Sequence, residues 1–370
     1  MRKASIFQET HMQTPYSLFR RTALNAPLHH TLRAGAAAAV LLALALQGAP
    51  VHAQEAVKLK FADWMPVSHY TVTNAAYPFM KKATELSKGK IEFQYFPAEQ
   101  LGKGKDLLTL LQTGVADIAD ISPSYISDKF PMSSVAELPA MFNNACQGTY
   151  AYASLVKAGG VLAEKEFKPN GVRVLVSVAY APYKVLTTKN KIESIQDFSG
   201  LKLRTAGGAM DITANVVDAV PVRMPGPDIL PSLSRGTLDG TLAPLQSVKV
   251  FDMQTQLRHM TTDVSLGSFI TVYAISDRAW KRLPQELRAT LVEAGDFATK
   301  NHCEYVDAQE VKVVQELEKD GVKGNAMAPG QLAALNTKLQ NVAAEWATSL
   351  DKRNKPGTAV LSDFRKAVAQ

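Results

Sequence analysis

Residues 91–121 read IEFQYFPAEQLGKGKDLLTLLQTGVADIADI. Ile91, Phe93 and Tyr95 alternate with Glu92 and Gln94, the period of a strand with one buried face, and Pro97 stops the run. Leu107, Leu108, Leu110, Leu111 and Val115 then form an apolar helical stripe interrupted at Gly114, and Ala116 to Ile121 reads as the next strand. A parallel neighbour is reached only through a long crossover, usually a helix, so strand, helix, strand marks an open α/β sheet.

The pattern extends in both directions. Upstream, Leu59 and Phe61 alternate with Lys58 and Lys60, and Ala76, Phe79, Met80, Ala83 and Leu86 recur at helical spacing up to Gly89, a suitable helix terminator. Downstream the same grammar restarts with VRVLVSV (172–178), YKVLTT (183–188), LKLR (201–204) and VPVRM (220–224), with helical periodicity between them. The C-terminal third, from Trp280 on, is mostly helical. Two α/β lobes wrapped by helices are expected, with the carboxyl ends of their strands lining a cleft.

The first 53 residues stand outside this pattern. They carry Arg2, Lys3, Arg20, Arg21 and Arg33 against Glu9 alone, then a small and apolar run from Ala34 to Leu46, then Val51 and Ala53 in a small-residue cleavage pattern. A secretory signal peptide over 1–53 is expected; the run is too short for a membrane span. The Arg20–Arg21 pair raises a twin-arginine route, and Met12 is an alternative start. Removing five bases and one acid lowers the net charge from +7 to +3, which weakens any nucleic-acid reading. Cys146 and Cys303 leave a disulfide open in an exported protein.

Motifs of catalysis are missing. His69, His259 and His302 are scattered, with no His-Glu-x-x-His, paired Cys-x-x-Cys, nucleophile elbow or phosphate loop, so neither enzyme activity, metal nor cofactor is expected. Asp63, Asp117, Asp120 and Asp239 have the chemistry for acid–base work, but nothing in the sequence pairs them. The chemistry instead gathers at DFSGLKLRTAGG, residues 197–208. Arg204 ends a strand, and its guanidinium is a rigid fork that matches a carboxylate. Gly207 and Gly208 permit close backbone approach, and a helix starting near Ala209 favours negative charge. The competing reading is a surface arginine paired with Asp197 or Asp228.

FPAEQLGKGKDLLTLLQTGVADIAD (96–120), IESIQDFSGLKLRTAGG (192–208), LSRGTLDGTLAPL (233–245) and YAISDRAWKRLPQELRATLVEAG (273–295) occur in the order, and with the motifs, of the solute-binding proteins of TRAP transporters, the DctP type. The resemblance covers nearly all of 57–310. It implies a two-lobed, type II periplasmic-binding-protein clamshell with crossing strands and a long interlobe helix. Residues 54–180 with 266–305 would form lobe I, and 181–265 with 306–370 lobe II. It further implies a periplasmic receptor, not itself membrane-spanning, that delivers a small organic carboxylate to TRAP permease subunits. A periplasmic sensing module feeding a histidine kinase is the alternative.

In that family the Leu-Arg position holds the substrate carboxylate, a role Arg204 inherits. Two departures bear on the ligand. Many members carry a second arginine near Tyr183, where this chain has Tyr180-Ala-Pro-Tyr183-Lys184, and an asparagine before the proline that here follows Leu242 and Ala243. Losing a cation and an amide removes partners for a second carboxylate or several hydroxyls. The expected ligand is a monocarboxylate with an apolar or aromatic body. Trp64, Tyr183, Leu242, Ala243 and Phe269 are expected to cover that body, Gly207 to approach the anion, and Gln100 and Tyr125 to add hydrogen bonds. Lys184 is expected to point away from Tyr183 by strand alternation.

Overall fold

The computed structural model of the protein describes residues 55–370. The expected signal peptide, the start at Met12 and the export route lie outside them. In chain order the strands are β1 (Val57–Ala62), β2 (Ile91–Phe96), β3 (Ile118–Ile121), β4 (Val172–Ala179), β5 (Lys184–Thr187), β6 (Lys202–Thr205), β7 (Val220–Arg223), β8 (Gly240–Ala243), β9 (His259–Thr261), β10 (Ile270–Ser276) and β11 (Lys323–Asn325). They form two sheets, ordered β2-β1-β3-β10-β4 and β11-β9-β5-β8-β6-β7.

The opening strand–helix–strand reading holds. β1 pairs parallel with β2 and β3, with Phe61 beside Tyr95 on one side and Ile118 on the other. The crossovers run through helices α1 (Tyr77–Leu86) and α2 (Leu107–Thr113). The sheet is nevertheless mixed, because β10 is antiparallel to both β3 and β4. β10 returns from the second lobe, so its direction follows from where the chain comes back and not from a local crossover. In the second sheet β6 is parallel to β7 and β8, and β5 is antiparallel to β8.

Between the sheets the chain crosses first at 180–183 and again at 262–269. The crossings bond to each other: Tyr180 N donates to Phe269 O at 3.0 Å and Tyr183 N to Gly267 O at 2.8 Å. Gly267 has φ +123°, and a Cβ there would lie 2.4 Å from the carbonyl oxygen of Glu137, so this corner accepts only glycine.

Four further helices lie along the chain, α3 (Ala145–Val156), α4 (Ala209–Val216), α5 (Ile229–Ser234) and α6 (Leu245–Val250), followed by α7 (Asp277–Arg282) and α8 (Gln285–Lys319). α8 serves both lobes. Leu287, Leu291, Ala294, Ala298 and Val306 belong to the larger apolar core, while Val313 and Leu317 pack with Leu186, Val248 and Met260 under the second sheet. Cys303 of α8 is bonded to Cys146 of α3, which resolves the open disulfide and ties the long helix to the first lobe. Of the last two helices, α9 (Pro329–Asp351) lies against α4, and α10 (Gly357–Val368) against α3. The expected assignment of 306–370 to lobe II therefore does not extend to α10, whose Val360, Leu361 and Phe364 are buried on the first lobe.

Candidate functional site

The carboxyl ends of parallel strands from both sheets face one cavity, as open α/β sheets dictate. Trp64 follows β1, Tyr125 follows β3, Arg204 lies near the end of β6 and Ala243 ends β8; the crossings add Tyr180, Tyr183 and Phe269. Side chains fill the space between these walls, leaving a cavity of only about 20 Å3. The lobes touch across it: Gly226 N donates to the phenolic oxygen of Tyr125 at 3.1 Å.

Arg204 is brought there by strand alternation. Leu203 points into the apolar core, so its neighbour emerges on the cavity side. Arg204 is only 3% exposed. Its Nε donates to Met224 O at 2.9 Å and its Nη1 to Leu242 O at 3.3 Å, leaving Nη2 for something else. Arg173, Arg223 and Arg282 each face a carboxylate, whereas Arg204 has no such partner among the described residues. Of the two suspected competitors, Asp197 spends its carboxylate on Ser194 and the backbone of Glu193 in a local cap, and Asp228 forms no ion pair with Arg204 among the described residues.

Aromatic rings build the rest of the wall. Trp64 and Tyr125 lie 5.4 Å apart between ring centroids, Tyr125 and Phe269 5.4 Å, and Tyr183 stacks on Phe269 at 6.3 Å. Burial pushes the Tyr125 phenol up to about 12 and the Tyr183 phenol well above its ordinary range, so both hydroxyls stay neutral. Ala243 completes the wall beside Pro244 and Ser247.

Three expected residues stand elsewhere. Gln100 is exposed on a surface turn. Leu242 contributes its carbonyl to Arg204 but turns its side chain into the core, the opposite face from Ala243. Gly207, with φ +106°, holds a lobe-to-lobe contact, since a Cβ there would lie 2.7 Å from Ser124 O. Lys184 donates to Thr262 O and is absent from the cavity wall, as alternation implies.

His69 and Ser247 also line the cavity, and the sequence reading missed both. His69 joins a buried network: Thr71 N donates to its Nδ1 at 3.1 Å, and Thr71 Oγ1 lies 2.9 Å from Tyr180 Oη and 3.1 Å from His302 Nε2. Two histidines read as scattered thus meet at one threonine. Burial, with each other's charge for His69, holds both imidazoles down to about 3, so they are neutral. Asp63 and Asp120, read as unpaired, are neighbours in the first lobe's core, where desolvation raises Asp63 to about 6 and Asp120 well above its ordinary range. Tyr95 donates to Asp63 at 2.8 Å and Thr271 donates to Asp120; neither carboxyl is part of the cavity wall.

Residues 62–349 match the family model for DctP, described as bacterial extracellular solute-binding protein, family 7. This chain belongs to that family. As a DctP protein it is a TRAP-transporter solute-binding receptor with the family's two-lobed α/β fold. It is 25% identical to a TRAP solute binding protein from Rhodoferax ferrireducens T118, solved in complex with copurified benzoate; the match covers 85% of this chain and 98% of that one, with a TM-score of 0.77. A Bordetella bronchiseptica TRAP periplasmic solute binding protein, solved with bound (R)- and (S)-mandelate, shares the fold at 24% identity, covering 85% and 99%, with a TM-score of 0.77. The sialic acid-binding periplasmic protein SiaP of Vibrio cholerae is 23% identical over 67% of this chain and 77% of its own. Among the described residues of this DctP protein no helix is long and apolar enough to cross a membrane.

Proposed function

We propose that this receptor works in the periplasm, where it captures a monocarboxylate with a flat, apolar or aromatic body and delivers it to TRAP permease subunits in the membrane. The observation that carries the reading is Arg204: a buried guanidinium with no carboxylate partner among the described residues, facing aromatic walls. A buried charge without a partner is costly, and a ligand carboxylate supplies the partner and takes the free edge of the fork. Among the described residues the cavity wall offers no second cation and no carboxylate, so a second acidic group on the ligand would be desolvated without a counter-charge. Benzoate and mandelate in the related receptors agree with this chemistry.

Because the cavity is crowded while the lobes touch, a ligand enters as they part and then favours closure by bridging them. It shifts that equilibrium only by its preference for the closed state. Thermal-shift and calorimetric screening of monocarboxylates against dicarboxylates and sugar acids tests the reading. An aromatic monocarboxylate should bind at least about tenfold tighter than its dicarboxylate analogue, about 1.4 kcal/mol. A dicarboxylate preference would overturn it.

A further inference from the structure

Behind the cavity wall lies a carboxyl group for which the capture of an anion has so far had no use. Glu137 is completely buried in the first lobe, and its side chain borders three of the segments that carry the wall. Ser124 Oγ, beside Tyr125, donates to its Oε1, as does Ile270 N, beside Phe269, at 3.3 Å. A Cβ built on Gly208, in the loop that follows Arg204, would lie 3.4 Å from its Oε2. Its backbone supports the second crossing, where a Cβ on Gly267 would lie 2.4 Å from Glu137 O. One residue thus holds the segments of Tyr125, Phe269 and Arg204 in register from behind.

The form in which it does so follows from its surroundings. Both hydrogen bonds end on Oε1, while Oε2 is buried with no partner among the described residues. An ionised carboxylate with one bare oxygen in the interior is far costlier than a neutral carboxyl. The charged and titratable groups that face it are Arg204 from β6, Asp211 from α4, which already pairs with Arg223, the Tyr183 phenol from the first crossing, and the Tyr152 phenol from α3, which also faces Glu166. Arg204 is the cation among these that favours the ionised form. A ligand carboxylate seated on Arg204 cancels that help and adds an anion of its own, so it drives a proton onto Glu137. Desolvation already holds this carboxyl at about 8 in the empty receptor.

We infer that Glu137 positions the wall of the site as a neutral acid, so that the receptor closes on its carboxylate ligand together with one proton held at Glu137. This rests on the anion role proposed for Arg204 and adds a proton to the binding equilibrium. The proton comes from solvent, forms the O–H of the Glu137 carboxyl, and returns to solvent when the ligand leaves. Well below pH 8 Glu137 is protonated beforehand and binding takes up almost no proton. Above it each binding event must draw one, and affinity falls by up to about tenfold per pH unit.

Calorimetry with benzoate and mandelate, repeated in buffers of different ionisation enthalpy, counts the protons. Uptake should rise from near zero at about pH 6.5 to about half a proton or more at about pH 8.5, with an affinity loss of about three- to fivefold between about pH 8 and 9. Glu137→Gln, a neutral stand-in that keeps an acceptor for Ser124 and Ile270, should abolish the uptake and flatten the profile. Glu137→Ala, which cuts those ties, should weaken both acids at every pH. NMR of the Glu137 side-chain carboxyl, identified by its loss in Glu137→Gln, needs no ligand and so decides even where calorimetry shows no heat: it should titrate near 8 and move upward in Arg204→Met, which removes the same cation. Affinities flat from about pH 7 to 9, uptake that persists in Glu137→Gln, or a Glu137 midpoint unmoved by Arg204→Met would overturn the inference and leave the carboxylate reading standing. Binding of either acid that survives Arg204→Ala would overturn both.

Discussion

Replacing Arg204 with alanine tests the proposed anion clamp directly. The side chain is 3% exposed, held by Met224 O and Leu242 O, and without an ion-paired carboxylate among the described residues. Removing it takes away one half of a desolvated, charge-assisted pair with the ligand, a loss of about 2–5 kcal/mol, or roughly thirtyfold to several-thousand-fold in affinity. Arg204→Lys keeps the charge but not the fork, and its single ammonium cannot satisfy both carbonyls and the ligand together, so an intermediate loss is expected. The empty receptor should behave differently. Arg204→Met deletes an uncompensated buried charge, which offsets the two carbonyls left without their donor, so the ligand-free variant should lie within about 1 kcal/mol of the parent. Calorimetry with the best acid from the monocarboxylate panel measures the first quantity, and denaturant unfolding of ligand-free protein the second. Arg204→Ala binding that acid within threefold of the parent would show that the guanidinium does not hold the carboxylate.

Gly207→Ala introduces a Cβ 2.7 Å from Ser124 O at φ +106°, across the line between lobes, and should cost about 1–3 kcal/mol of closed state; ligand affinity should fall more than the unfolding free energy of the empty receptor, and an unchanged dissociation constant would refute it. Reducing the Cys146–Cys303 bond opens a loop of 157 residues and should lower unfolding stability by about 3–5 kcal/mol, read as a shifted denaturant midpoint, with ligand affinity nearly unchanged because neither cysteine lines the cavity. Glu137 is buried between Ser124 Oγ and Ile270 N, and desolvation raises its carboxyl to about 8. A raised pKa means the folded state holds the extra proton, so its contribution is full below about 4.5 and is lost as pH rises through 8. Between pH 6.5 and 8, above the range where buried His69 and His302 count against folding, stability should fall by about 1.4 kcal/mol per pH unit from this group, and Glu137→Gln should remove that slope. Glu166, raised to about 7, adds a share only in the lower part of that window.

The sequence alone indicated much of the strand–helix alternation and singled out the arginine proposed here to hold the anion. Alternation at Ile91, Phe93 and Tyr95 and the leucine stripe of α2 are local, because a strand or helix must bury one face, and that face is written at spacing two or near four. Arg204 was legible for the same reason: a permanent charge at the end of an apolar strand needs an explanation wherever it folds. The tertiary structure alone decided what lies far apart in the chain. β10 runs antiparallel because of where the second crossing returns, α10 packs on the distant α3 as well as on its neighbour α9, and Asp63 meets Asp120 only when β1 and β3 pair. His69 looked solitary until Thr71, Tyr180 and His302 gathered around it and fixed its proton. Gly207 was assigned to the ligand by its nearness to Arg204 and Leu242 by the family position it shares with Ala243, but one faces Ser124 and the other the core. Side-chain direction and long-range pairing depend on how lobes dock, and no local period records that.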